Sequence, residues 1–97
     1  MIDRDSAKAM VWSYLDENFG REPELAIVDG EPSETTHAWI FFYNTREYLE
    51  TGEFSAALAG NGPVLVNKVT GDIEAFGAAT ALDELFAEYE RRQSQLE

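Results

Sequence analysis

Ninety-seven residues with 44% hydrophobic content and twelve aromatics suffice for one buried core, and residues 1–97 are expected to form one domain. Nineteen acids against seven bases leave a net charge of −12, which disfavours nucleic-acid phosphates and anionic lipid and favours a basic protein partner or a solvated acidic surface. With no cysteine there is no disulfide framework, thiol nucleophile or cysteine-based zinc site, and no apolar run approaches the ~18 residues of a membrane span.

The N-terminus is acidic before Lys8-Ala9-Met10 and has no signal-peptide pattern, so a cytoplasmic location is expected. Asp3, Asp5 or Ser6 can cap a helix running to about Asn18, with Gly20 closing it. Ala7, Val11, Tyr14, Leu15 and Asn18 follow helical spacing, and Trp12 and Phe19 widen the stripe. Arg21 to Pro23 reads as a connector, Leu25 to Val28 as a short strand, and Asp29 to Glu34 as a loop of turn-forming residues.

His37 to Tyr43 is the strongest strand signal. Trp39, Phe41 and Tyr43 fall on one face and Ala38, Ile40 and Phe42 on the other. Both faces are apolar, so this strand is either central and covered on both sides or presents one face to a partner. Asn44 to Ala59 follows, about sixteen residues and longer than most connections in a small domain. Thr45 to Glu53 reads as a polar crossing anchored by Tyr48 and Leu49, turning at Gly52, and Phe54 to Ala59 as a short helix stopped at Gly60.

Gly60, Asn61, Gly62 and Pro63 read as a turn that ends that helix and starts an extended run. Val64 to Val66, a reversal using Gly71, and Ile73 to Phe76 then form a hairpin. Thr80 opens the last helix with Asp83 as its capping box, and Leu82, Leu85, Phe86 and Tyr89 make its apolar face. Arg91 and Arg92 suit its C-terminus, and Gln93 to Glu97 is expected to fray. The order α-β-β-(short α)-β-β-α gives an α+β fold: a mostly antiparallel four-stranded sheet packed by an N-terminal and a C-terminal helix.

Catalytic readings find little support. His37 is the one histidine, with no second metal ligand and no serine motif beside it, so an exposed or capping role is expected. Gly60-Asn61-Gly62 is followed by Pro63 and a strand where a phosphate loop needs a helix. Carboxylates are abundant, but two short helices leave little room for a glycosidase cleft, and no calcium-loop spacing occurs. No cofactor and no metal are expected. Glu47, Glu50 and Glu53 around Tyr48, together with Glu74, are candidates for gripping a basic protein through charge and an aromatic anchor.

Three segments carry a resemblance. Tyr43 to Gly52, Leu58 to Pro63, and Val66 to Ile73 resemble the YrhB-domain family, also called immunity protein 35, as do Gly77-Ala78 and the helix ending Glu88-Tyr89-Glu90. One departure is Asn67, where an acidic residue is expected. The resemblance implies a bacterial, non-catalytic protein that neutralises a cognate toxin by direct binding. The family also includes a protein described as chaperone-like, which makes a holdase the alternative. Residue roles in toxin contact are not implied; the shared motifs look like turn-forming scaffold.

Overall fold

Four antiparallel strands in sequential order carry a helix on each face of the sheet in the computed structural model, which describes residues 1–20, 24–28, 33–58, 61–77 and 81–96. Helix α1 spans Arg4–Phe19, and strands β1 and β2 span Leu25–Val28 and Ala38–Thr45. Helix α2 spans Arg46–Thr51 and is followed by a single 3-10 turn, Phe54–Ala56. Strands β3 (Asn61–Asn67) and β4 (Ile73–Gly77) form the hairpin, and α3 spans Leu82–Leu96.

The α1 helix starts where Asp3 accepts a 2.7 Å hydrogen bond from the Ser6 N–H, a cap that also lowers the Asp3 carboxyl pKa. Ala7, Val11 and Leu15, four residues apart, make its buried stripe. They pack on Leu25, Phe41, Tyr43, Val64 and Val66. On the opposite face Leu85 and Tyr89 of α3 cover Ala38, Ile40 and Leu65. Strand β2 lies between β1 and β3, and its alternation feeds both layers. The two-faced apolar pattern therefore marks a central strand covered on both sides, and the aromatic row is core.

Several expectations shift. Pro63 lies in the extended run as expected, but that run starts earlier: Asn61 and Gly62 also belong to β3, so none of the three forms a turn, and among the described residues no non-glycine has positive φ. Gly62 is required by a close approach. A Cβ there would lie 2.5 Å from the Gly77 carbonyl oxygen and 2.6 Å from that of Phe76. Pro63 sits where the β3–β4 register shifts between Asn61 and Val64, a bulge that tolerates a missing N–H. Gly71 meets its expectation: φ is +80°, and its α-carbon faces Met10 and Ile2.

The polar crossing after Thr45 is helical. Thr45 caps α2 by accepting from the Tyr48 N–H, and Gly52 closes it in the left-handed region. The short helix expected from Phe54 shrinks to the 3-10 turn, whose carbonyl at Ala56 accepts from the Thr45 hydroxyl at 2.7 Å. At the C-terminal end α3 continues through Gln93, because Gln93 accepts from Asn67 Nδ2 at 3.0 Å. The readings at Arg21–Pro23, Asp29–Pro32, Ala59, Gly60, Ala78 and Thr80 lie outside the described residues.

Candidate partner-binding surface

The β1–β2 register sets Leu25 opposite Thr45, so the start of β1 meets the start of α2. The Arg46 N–H donates to the Glu24 carbonyl at 2.8 Å, and the Arg46 Nε lies 2.9 Å from the Glu24 carboxylate. Arg46 Nη1 also approaches Glu50, one helical turn on, at 3.9 Å. All three side chains are more than half exposed, so the pairs add little stability.

This clasp divides two concavities. One, of about 470 Å³, runs between α1 and β1, with Trp12, Leu15, Asp16, Glu24 and Leu25 among its walls. The other, of about 330 Å³, is lined by Glu24, Thr45, Arg46, Glu47, Glu50 and Ala56. Beside them the 3-10 turn carries Phe54, 85% exposed, with its ring 6.1 Å from that of half-buried Tyr48. Leu49 is exposed and does not anchor the segment as expected. Phe19 and Trp12, seven residues apart on one flank of α1, are also partly exposed.

Glu47, Glu50 and Tyr48 thus share one corner, and Glu53, exposed at the start of the 3-10 turn, belongs with them. Glu74 does not. It lies on β4 at the far edge of the sheet, where both its carboxylate oxygens accept from Arg92 Nη2 at 3.0 and 3.1 Å. Trp12, Glu24, Arg46 and Phe54 were not singled out as site residues. Trp12 follows Val11 and so falls about 100° off the buried line, at the margin of the stripe it was expected to widen, and the spacing does not say that nothing covers this margin. The Glu24–Arg46 pairing depends on strand register and left no local signal.

His37 is not exposed. Its Nδ1 lies 2.7 Å from Glu90 Oε1, and its N–H donates to Glu90 Oε2 at 3.1 Å. Thr35 donates to the same Oε2 at 2.7 Å, so the three groups fasten α3 to the start of β2. Asn67 makes a second tie. Its Oδ1 accepts from the N–H groups of Val69 and Thr70, holding the turn, while Nδ2 donates to Gln93 and the Tyr89 hydroxyl. Burial raises the Tyr89 phenol pKa, and the Asn67 bond opposes it in part. Among the described residues no cluster of histidine or carboxylate side chains could hold a metal ion, and no helix is long and apolar enough to cross a membrane.

The geometry offers a shallow, acidic, aromatic-bearing corner. The family model for immunity protein 35 matches residues 5–91. An Escherichia coli K12 protein described as the uncharacterised protein YrhB is 34% identical over 94 residues, covering 97% of this chain and 95% of that protein. No solved structure matches the chain.

Proposed function

The chain belongs to the immunity protein 35 family, and from that premise we propose that it is a non-catalytic immunity protein acting in the cytoplasm. It neutralises a cognate bacterial toxin by binding it directly, with the corner of Glu47, Glu50, Glu53 and Tyr48 facing a basic toxin surface. The family match over residues 5–91 carries this reading. The charge of −12 and the exposed Phe54 beside three glutamates support it: like-signed carboxylates speed encounter with a basic protein, and an aromatic anchor supplies affinity. Where the toxin is a nuclease, these carboxylates stand in for phosphates.

Co-purification with the toxin encoded beside its gene tests the proposal. A stable complex that abolishes toxin activity is expected; absence of a complex with any adjacent toxin overturns it. Changing Glu47, Glu50 and Glu53 together to lysine should slow association several-fold, because rim charges act mainly on the on-rate. The same change should shift stability by no more than about 0.5 kcal/mol per site. A holdase is the second reading, favoured by Phe54 exposed on a highly charged chain. It requires stoichiometric suppression of aggregation of unrelated heated proteins, which a toxin-specific inhibitor lacks.

A further inference from the structure

Resting on the toxin-binding reading, we infer that the groove between α1 and β1 receives one basic side chain of the partner, a lysine or arginine flanked by apolar residues. The groove combines an apolar floor with an acidic rim. Leu15 and Leu25, 2% and 7% exposed, belong to the core, while the Trp12 indole stands 41% exposed along one wall. Two acidic residues, Asp16 and Glu24, line the same cavity. An aliphatic stem ending in a cation is the side-chain chemistry that matches both parts. An indole face adds cation–π attraction, strongest for tryptophan.

The chain already carries an example of the recognition. Arg46 closes one end of the groove with its guanidinium on Glu24 and near Glu50. The Arg46 side chain is half exposed, so its ion pairs exchange readily with those of an incoming cation. Arg46 therefore competes with the partner for Glu24, and its removal strengthens binding. A purely structural role for the clasp predicts the opposite sign.

The probe is a short amidated peptide, Ac-GLRLG-NH2, titrated at millimolar concentration against the 15N-labelled full chain, with Ac-GLQLG-NH2 as its neutral counterpart. The arginine peptide should shift the amides of Ser13, Asp16, Leu25 and Arg46 together, and the glutamine peptide should leave them in place. Trp12→Ala should weaken binding about tenfold, in the range of an interface anchor. Should that variant lose its dispersed spectrum, Glu24→Gln gives the same test. Arg46→Gln should bind about threefold more tightly than Arg91→Gln, which makes the same charge change on the exposed flank of α3.

Equal shifts with both peptides, or shifts spread over acidic residues of α3 and β4, overturn the groove. So does an Arg46→Gln variant that binds no better than Arg91→Gln. The adjacent toxin separates the two proposals. Capture of that toxin by the wild-type chain and by Trp12→Ala alike ends the groove assignment and keeps the toxin reading. A groove that binds the peptide in a chain that captures no toxin does the reverse.

Discussion

The two faces of the sheet are secured by different physics. Among the described residues, eight buried ones on the α1 side, from Ala7 to Val66, form a continuous apolar layer. On the α3 side the described residues give a cluster of five, and polar ties supplement them: Asn67 to Tyr89 and Gln93, Glu90 to His37 and Thr35, and Glu74 to Arg92. Hydrophobic burial is non-directional and leaves surplus surface at its margins. Hydrogen bonds are directional and engage the groups that make them. The α1 face has polar ties of its own, with Arg4 donating to the Ser33 carbonyl and stacking on Phe41. Yet α1 and its neighbour α2 leave three large aromatics, Trp12, Phe19 and Phe54, exposed among carboxylates, where α3 and the hairpin expose only the aliphatic Leu82 and Val69 among the described residues. A partner surface belongs on the α1 side.

Equal truncations on the two faces give the largest test. Leu15→Ala should cost about 3–4 kcal/mol and Leu85→Ala about 2–3 kcal/mol, both measured by urea unfolding. Leu15 sits in the larger cluster, where the cavity has less freedom to collapse. The reverse order would make α3 the keystone. Next in size is Asn67, 7% exposed, whose side chain joins turn and helix. Asn67→Ala strands the N–H groups of Val69 and Thr70 and should cost about 2 kcal/mol. Asn67→Asp keeps the acceptor and loses the donor. Amide exchange should then stay slow at Val69 and Thr70 but quicken around Gln93, while the alanine variant quickens both.

How much of this was legible in the sequence differs along the same divide. Period-two alternation in Ala38 to Tyr43 marked a strand apolar on both faces, because side-chain direction in a strand is local, and left open whether one face met a partner; the structure covers both. The four-residue spacing in α1, the hairpin and the Gly71 turn were legible for the same reason. The crossing after Thr45 departs from its sequence pattern and is helical. Its helix has no buried residue, so no apolar period marked it, and its evidence is the Thr45 cap and Gly52. The acidic residue expected at position 67 has its acceptor in Asn67 Oδ1, with a donor in addition. The ties at His37–Glu90 and Glu24–Arg46 span 53 and 22 residues. Pairings of that separation follow from topology, and neither partner alone announces them. Half of the candidate surface, Glu47, Glu50, Glu53 and Tyr48, was visible as a charged segment; Trp12 and Phe54 were not, because exposure of an aromatic is decided by what fails to cover it.

The finest contrast between the faces is their response to acid. Burial alone would raise the Glu90 pKa, but hydrogen bonds from Thr35 and from the His37 ring and N–H outweigh it and hold the carboxyl below its ordinary value. The unfolded chain then binds this proton more tightly than the folded one. Glu90 therefore stabilises the fold above the ordinary glutamate range, and that contribution fades as pH falls through the range to the lower folded pKa. Asp3 is lowered too, by the Ser6 N–H and hydroxyl, but at a fully exposed cap where solvent weakens the effect. The melting temperature should fall between about pH 6 and pH 3, and Glu90→Gln should flatten that fall more than Asp3→Asn does. Because Glu90 ties α3 to the start of β2, the α3 amides should lose protection before those of α1 as acid is added. Simultaneous loss on both faces would mean that the polar ties and the apolar layer open as one unit, and that the division between them is one of composition and not of stability.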